Sequence, residues 1–260
     1  MTGSSRKPSG LLHSAAAALA LLSSVPASIR AQTVQVGLVS DPCATPAEPS
    51  APLSADWPNL CRYRAANLTV NEQTTAAHRV VFIGDSITEN WAAADPAFFG
   101  REFINRGISG QTTPQILLRF RADVIALRPD VVHIMAGTND VAGNTGPSRL
   151  EDVENNFKSM VDLALANGIK VVLASIPPAD DFPWRPGLQP ALKIQALNAW
   201  LRKYAASRGV VYLDYYRVLS SDGGALKPGL GQDAVHPNRA GYDLMEPLTR
   251  AAIAQARKGR

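Results

Sequence analysis

The stretch Val80-Val81-Phe82-Ile83-Gly84-Asp85-Ser86-Ile87-Thr88-Glu89-Asn90-Trp91 passes from a short apolar run into a segment of helical character. An apolar, β-branched run of this length, closed by a glycine, predicts a buried strand followed by a turn. Gly84 permits a sharp turn, and Ser86 then stands at the opening of a helix. We therefore predict a strand, a turn and a helix that together expose Ser86 at the carboxyl end of the strand.

The same alternation of short and long segments continues to the C-terminus. Short runs rich in β-branched residues predict strands at 80–83, 103–105, 131–135, 170–174 and 210–213. Segments with apolar residues at helical spacing lie between or after them, at 114–127, 150–166, 191–206 and 242–256. Strands that alternate with such helices pair in parallel through right-handed crossovers. The sequence thus predicts an α/β protein, a three-layer α/β/α sandwich with a five-stranded parallel sheet, whose ligands bind at the carboxyl ends of the strands.

Length and composition favour one globular domain that follows an N-terminal signal peptide. The 260 residues are 46% hydrophobic and 18% charged, which is close to the average for globular proteins. Basic residues precede the apolar run 11–22, and small residues follow it up to Ala27 or Ala31, so residues 1–31 are predicted to be a signal peptide. A membrane anchor is the alternative, but the run is shorter than the roughly 20 apolar residues of a spanning helix. We expect export to the periplasm or the medium, with no membrane span in the mature chain.

The net charge gives little support to a nucleic-acid partner. The formal charge is +4, but Arg6, Lys7 and Arg30 lie within the predicted signal peptide. Without these three of the 26 basic residues, 23 remain against 22 acidic ones. A chain with nearly equal numbers of basic and acidic residues lacks the excess of positive charge that binds a polyanion.

Residues 32–76 differ in composition from the rest of the chain. They are rich in Pro, Ala, Ser and Thr and show no sustained period, so we predict an arm over the surface of a main domain at 77–260. The two cysteines, Cys43 and Cys61, lie in this arm, and in an oxidising compartment such a pair forms a disulfide more often than it stays free. Their spacing fits neither a CxxC redox motif nor a zinc site.

The tripeptide Gly84-Asp85-Ser86 is by itself a weak signal. A serine at a helix start is commonly a plain N-cap, and such a turn can also bind a phosphate through its backbone N–H groups, as in flavodoxin-like cofactor sites. The carboxylate of Asp85 argues against phosphate, because it would repel an anion. A nucleophilic serine is the third interpretation.

Two loops after strands carry candidate hydrogen-bond donors. The segment 105–113 follows the second strand, where Gly107 fits a tight strand-to-helix turn and Gly110 is the better candidate for a backbone N–H that faces a ligand. Gly137-Thr138-Asn139-Asp140 follows the third strand. The amide of Asn139 can either donate to an oxyanion or hold a turn.

The segment Asp233-Ala234-Val235-His236-Pro237 lies near the C-terminus. Its acid stands three residues before its histidine, and its proline keeps the histidine out of helical geometry and is placed to open the last helix. The alternative is that Asp233 and His236 bind a metal ion. The chain has four histidines, of which His13 lies in the signal peptide, and we interpret His78 and His133 as packed or surface residues. We predict no metal site.

Together and in this order, the four segments closely resemble the sequence blocks of the SGNH (GDSL) hydrolases, from about Val80 to the last helix. The resemblance implies a serine esterase. Its nucleophile, base and orienting acid would be Ser86, His236 and Asp233, and its oxyanion donors the backbone N–H groups of Ser86 and Gly110 with the Asn139 side chain. A flavodoxin-like sheet and catalysis without a cofactor are also implied. Ala234 stands where glycine is common in the last block, which should not disturb the two functional side chains beside it.

The motifs leave the substrate open. The loop 177–187 follows the fourth strand and is predicted to form the rim of the site. In this loop Trp184 can stack on a sugar or an aryl group or simply anchor the chain, and Arg185 can meet an anion. Trp91 is a further candidate for the rim. No long apolar lid is evident, which favours small or short-acyl esters, including O-acetyl groups on carbohydrates.

Other activities and other classes of protein are compatible with parts of this pattern. Relatives in the SGNH group include lysophospholipases and thioesterases, and the motifs do not separate these. A flavin- or nucleotide-binding protein of the same architecture and a non-catalytic binding module are the two rival classes. We expect a small-molecule ester as the partner, and the sequence leaves the oligomeric state open.

Overall fold

The computed structural model describes Cys43, residues 56–72 and residues 78–259. The predicted signal peptide lies outside the described residues, as does much of the predicted arm. The strands are β1 Val80–Gly84, β2 Phe103–Gly107, β3 Val131–Met135, β4 Lys170–Ala174 and β5 Val211–Leu213. The α-helices are α1 Arg64–Glu72, α2 Ser86–Ala94, α3 Thr113–Asp123, α4 Thr138–Ala142, α5 Leu150–Ala166, α6 Pro190–Arg208, α7 Tyr216–Leu219 and α8 Arg239–Lys258.

The five strands form one parallel sheet in the order β2-β1-β3-β4-β5. In this sheet Val80 of β1 lies opposite Phe103 of β2 on one side and Val131 of β3 on the other. Every residue of β1 and β3 is buried, as expected for a sheet that is covered on both faces. The predicted α/β fold with a five-stranded parallel sheet is confirmed.

Helices cover both faces of the sheet. α2 and α8 contact each other and the sheet on one face, and α3, α5 and α6 pack on the other. The strand order reverses its direction between β1 and β3, and ligands in such sheets bind at the carboxyl ends of the strands beside this reversal. The loops after β1, β2 and β3 therefore meet where a site is expected.

Trp91 lies in the core, which corrects its prediction as a rim residue. Its side chain has 0% exposure. The ring stacks between Phe98 and Tyr242, with centroids 4.9 and 5.3 Å away. Trp91 stands four residues after the buried Ile87 and so shares the inner face of α2. Helical geometry thus turns Trp91 into the interior while Ser86 begins the helix at the edge of the sheet.

Residues 64–72 form helix α1, although no regular structure is predicted in the arm. The residue that this helix buries is polar, Asn67, and not an apolar stripe. The apolar Leu68 is exposed, so the face that this helix buries is not the one that its apolar residues would indicate. Cys43 and Cys61 form a disulfide bond, which links Cys43 to the chain shortly before α1.

Two helix boundaries, the end of α3 and the start of α8, differ from the predicted ones by three residues or more. α3 ends at Asp123 because Val124 leaves helical geometry with φ −123°, and the chain continues as a 3-10 turn. The side chain of Asn238 caps α8, so Pro237 precedes the cap and does not open the helix. Within residues 56–72 and 78–259, no helix has both the length and the apolar character that crossing a membrane requires.

Replacing Trp91 by alanine should lower the free energy of unfolding by about 3–5 kcal/mol, because the change empties a fully buried aromatic site. Trp184→Ala is the matched control. The side chain of Trp184 is 42% exposed, so its loss should cost less than about 1 kcal/mol. Urea denaturation followed by circular dichroism measures both values. A loss at Trp184 as large as the loss at Trp91 would contradict this placement of the two side chains.

Candidate active site

Ser86 is the first residue of α2, directly after β1 and Asp85. Asp85 caps the helix, since its Oδ1 accepts the N–H of Ile87 at 3.0 Å. A Cβ at Gly84 would lie 2.3 Å from the carbonyl oxygen of Met135, so only glycine fits before the cap. With the cap supplied by Asp85, the hydroxyl of Ser86 can bond to another partner.

That partner is His236, whose Nε2 lies 2.9 Å from Ser86 Oγ. The other ring nitrogen, Nδ1, lies 2.8 Å from Asp233 Oδ2. Asp233 Oδ1 also accepts the backbone N–H groups of Val235 and His236, at 2.8 and 2.7 Å. Burial acts to raise the pKa of Asp233, but the hydrogen bonds from His236 and Val235 outweigh it and hold the pKa below its ordinary value. A carboxylate beside Nδ1 favours the proton on that nitrogen, so the neutral ring presents an unprotonated Nε2 to the serine.

The loop after β2 is a tight turn. Gln111 donates its backbone N–H to the carbonyl oxygen of Ile108 at 3.3 Å. Gly110 has a φ of +76°, the left-handed conformation that a type II turn requires at its third residue. At Gly107 a Cβ would lie 2.2 Å from the backbone nitrogen of Glu89, so that glycine permits β2 to approach α2 closely. The tight turn is thus at Gly110, whereas Gly107, for which the sequence predicts such a turn, is required for close packing against α2.

Asn139 lies in the first turn of α4, where Gly137 with a φ of +110° precedes the helix. Its Nδ2 donates to the carbonyl oxygen of Gln111 at 3.1 Å. Its Oδ1 accepts Nδ2 of Asn144 at 2.6 Å. A primary amide has two N–H groups, so one remains beyond the bond to Gln111. The structure therefore brings Asn139 beside the Gly110 turn, and Asn144, which orients it, is a site residue that the sequence analysis missed.

Trp184 and Arg185 lie in the loop after β4. The Trp184 ring is centred 6.4 Å from the His236 ring, and its Nε1 donates to Asn144 Oδ1 at 3.0 Å. Arg185 Nη2 donates to the carbonyl oxygen of Gly143 at 2.9 Å, at the end of α4. Trp184 thus forms a partly exposed wall beside the histidine, and the Arg185 guanidinium holds its loop against α4.

The histidines at 78 and 133 lie apart from this arrangement. His133 is buried in β3, where its Nε2 lies 3.0 Å from Tyr215 Oη and burial lowers its pKa to about 3. His78 is exposed and lies two residues before β1, at the opposite edge of the sheet. In the part of the chain that the structure describes, no three or more His, Cys, Asp or Glu side chains are grouped to hold a metal ion.

Residues 82–244, more than half of the chain, match the GDSL-like lipase/acylhydrolase family. The chain belongs to this family. The crystal structure of a GDSL-like lipase from Bacteroides thetaiotaomicron VPI-5482 is similar, with 45% sequence identity and a TM-score of 0.74. This likeness covers 77% of the present chain and 99% of the other.

Two further relatives of this GDSL-family chain match over shorter stretches. Esterase TesA of Pseudomonas aeruginosa is 32% identical over 123 residues, which is 42% of this chain and 59% of TesA. An acetylxylan esterase of Geobacillus stearothermophilus is 32% identical over 90 residues, which is 25% of this chain and 41% of that enzyme. Each match therefore spans less than two thirds of the relative's own length.

Asp85 of this GDSL-family chain is fully buried next to Ser86. Burial raises its pKa to about 7, against the lowering effects of the Ile87 N–H and of His236. Its Oδ2 has no hydrogen-bond partner among the described residues. A carboxyl group in this position therefore holds its proton at pH values where an exposed aspartate has lost it.

Asp85 should make the folded chain less stable as pH rises from about 4 to about 7. The folded carboxyl keeps its proton up to a pKa of about 7, whereas an unfolded aspartate releases it near a pKa of about 3.9. Between these values the folded state binds more protons, so the free energy of unfolding falls with rising pH. Asp85→Asn keeps the capping oxygen and should remove this contribution. Urea unfolding of both proteins at pH 5 and pH 8 measures it, and an identical pH dependence would contradict a buried, protonated Asp85.

Proposed function

We propose that this chain is a serine esterase in which Ser86 attacks the ester carbonyl and His236 takes its proton. The observation that supports this most strongly is the series Ser86 Oγ, His236 and Asp233, with contacts of 2.9 and 2.8 Å. Such a series activates a hydroxyl that is otherwise a weak nucleophile. Membership of the GDSL-like lipase/acylhydrolase family supports ester hydrolysis as the class of reaction.

Negative charge develops on the carbonyl oxygen when Ser86 Oγ bonds to the carbonyl carbon. We assign three donors to this oxygen: the backbone N–H groups of Ser86 and Gly110, and Nδ2 of Asn139. Each donor of this kind is commonly worth about 3 kcal/mol in the transition state. The bond from Asn139 Nδ2 to Gln111 supports the assignment, because it holds the amide beside the Gly110 turn.

Collapse of the tetrahedral intermediate breaks the ester C–O bond, and the imidazolium of His236 gives its proton to the leaving alcohol. Water then attacks the acyl-Ser86, with His236 again as base, and releases the acid. Asp233 has a lowered pKa and remains a carboxylate that stabilises the imidazolium in both half-reactions. The proposed steps require no cofactor.

The substrates that we propose are small or short-acyl esters, including O-acetyl groups on carbohydrates. The partly exposed face of Trp184 beside His236 supports this, because a flat aromatic face suits a sugar ring near the leaving alcohol. The likeness to an acetylxylan esterase adds support. Lysophospholipase or thioesterase activity is the alternative. A panel of p-nitrophenyl esters, acetylated sugars, lysophospholipids and acyl thioesters separates them, and we expect the highest kcat/KM with acetate esters.

We also propose that the protein is exported and that residues 1–31 are removed. The basic residues and the apolar run at the N-terminus support a signal peptide. The Cys43 to Cys61 bond supports an oxidising compartment. N-terminal sequencing of the mature protein tests this proposal.

Ser86→Ala should abolish hydrolysis of p-nitrophenyl acetate while it leaves the unfolding midpoint almost unchanged. The alanine removes the attacking oxygen, and Asp85 continues to cap α2. Ser207→Ala, at an exposed position of α6, is the matched control and should keep full activity. Steady-state rates of p-nitrophenyl acetate hydrolysis by the wild type, Ser86→Ala and Ser207→Ala measure this. Residual turnover near the wild-type rate in Ser86→Ala would place the nucleophile elsewhere.

Asp233→Asn and His236→Ala should have effects on kcat that do not add. His236→Ala should remove nearly all activity, and Asp233→Asn should lower turnover by up to about 10⁴-fold, because the amide favours the wrong tautomer of the imidazole. The double variant should be no worse than His236→Ala, since the two residues act as one unit. Rates of the single and double variants measure this. A double-variant loss equal to the product of the single losses would show that the two act independently and would refute the triad.

A further inference from the structure

Residues 56–72, which we call the N-terminal clasp, lie outside the stretch 82–244 that matches the family. They nevertheless contact residues 107–111, which carry Gly110 and which we call the oxyanion loop. Ile108 and Gln111 of this loop are buried, whereas Ser109 and Gly110 at its tip are exposed, and no heavy atom lies within 4 Å of a Cβ placed on Gly110. Hydrogen bonds therefore matter most at the exposed tip, and the clasp takes part in several of the bonds along the loop.

The first contact is at the start of the oxyanion loop. Tyr63 Oη donates to the carbonyl oxygen of Gly107. The Tyr63 ring lies against the guanidinium of Arg106, whose Cζ is 4.7 Å from the ring centroid. Burial raises the pKa of Tyr63, so the phenol remains a neutral donor. The hydroxyl of Tyr63 thus holds the point where β2 passes into the loop.

The second contact runs through Glu89 on α2. Arg62 Nη2 donates to Glu89 Oε1 at 2.9 Å. Glu89 Oε2 accepts the backbone N–H of Ser109 at 2.7 Å and its hydroxyl at 2.5 Å. An ion pair as exposed as Arg62 and Glu89 adds only about 0–1 kcal/mol to stability. The ion pair also orients the Glu89 carboxylate. This carboxylate binds Ser109, the residue before Gly110, to α2, the helix that begins with Ser86.

The third contact is at Gln111, the residue after Gly110. Gln111 Nε2 donates to the carbonyl oxygen of Pro58 in the clasp at 2.9 Å. Gln111 Oε1 accepts Arg119 Nε at 2.6 Å, and the backbone oxygen of Gln111 accepts Asn139 Nδ2 at 3.1 Å. The clasp therefore contacts Gln111 directly and Ser109 through Glu89, so it reaches both neighbours of Gly110, and Gln111 also accepts the bond from Asn139.

The clasp itself is anchored in the interior by Asn67. Asn67 Nδ2 donates to Asp123 Oδ1 at 2.7 Å, and Asn67 Oδ1 accepts Arg106 Nε at 2.8 Å. Asp123 also pairs with the buried Arg119 at 3.0 Å. Undocking the clasp would leave these buried polar groups without Asn67, which is costly in a medium of low dielectric constant. The clasp is thus held to the rest of the folded domain by buried hydrogen bonds.

We propose that the N-terminal clasp positions the oxyanion hole, with Tyr63 and Arg62 as positioning residues that act through the oxyanion loop. This inference rests on the proposed esterase function. An oxyanion donor acts mainly in the transition state, so a loosened loop should lower kcat more than it changes KM. A residue with a purely structural role would instead lower stability and leave the turnover of the folded protein unchanged.

Tyr63→Phe tests this directly, because it removes one hydroxyl and keeps the ring. With p-nitrophenyl acetate we expect kcat to fall about tenfold while KM changes less than about twofold. The inhibition constant of an aryl trifluoromethyl ketone, whose adduct with serine carries an oxyanion, should rise by the factor by which kcat/KM falls. Tyr204→Phe is the matched control, since Tyr204 also lies beneath an arginine, Arg208, but on α6. It should leave both constants unchanged.

Arg62→Ala is a second test of the same proposal, at a more exposed side chain. We expect it to lower kcat about two- to threefold. If Tyr63→Phe fails to fold by circular dichroism, Arg62→Ala decides the question. With an active wild type, variants of Tyr63 and Arg62 that match Tyr204→Phe would overturn the role of the clasp, as would a change in KM alone. An inactive wild type would overturn the esterase proposal instead.

Discussion

The buried guanidinium of Arg119 joins the two turns on which the candidate site is built. A charge with 0% exposure is stable only when its donors are paired. Arg119 Nη2 donates to the carbonyl oxygen of Gly84 and Nη1 to that of Arg106, each at 2.8 Å. Its remaining bonds reach Gln111 and Asp123. The turn before Ser86, the end of β2 and the loop around Gly110 therefore keep one relative position, because separating them would leave N–H groups of a buried guanidinium without acceptors.

Much of the fold could be predicted because hydrophobic periodicity reports which faces are buried. β3, β4 and α5 have the predicted bounds, since each is a run whose residues pack into one continuous core. Helix α1 could not be found in this way, because its burial depends on the hydrogen bonds of Asn67. The prediction of Trp91 as a rim residue is wrong, although the sequence contains a signal for its buried position. Its spacing of four from Ile87 places the two side chains on one helical face, which is a core position.

The candidate site was predictable for a related reason. Parallel topology brings the ends of β1 and β3 to one edge of the sheet, so short motifs that directly follow strands must lie near each other. The residues that orient these motifs could not be predicted, because their partners are set by tertiary packing. Tyr63 bonds to Gly107 across 44 residues, and Trp184 bonds to Asn144 across 40. No local spacing encodes such a contact.

Activation of the Ser86 hydroxyl by His236 can be measured by covalent labelling. The purified protein would be treated briefly with a fluorophosphonate, digested and mapped by tandem mass spectrometry, beside a sample of His236→Ala. We expect one adduct, on Ser86, that forms rapidly in the wild type and very slowly in His236→Ala. An adduct on another residue, equal labelling of the two proteins, or rapid ester hydrolysis by a protein that takes up no label would contradict the activation of Ser86 by His236.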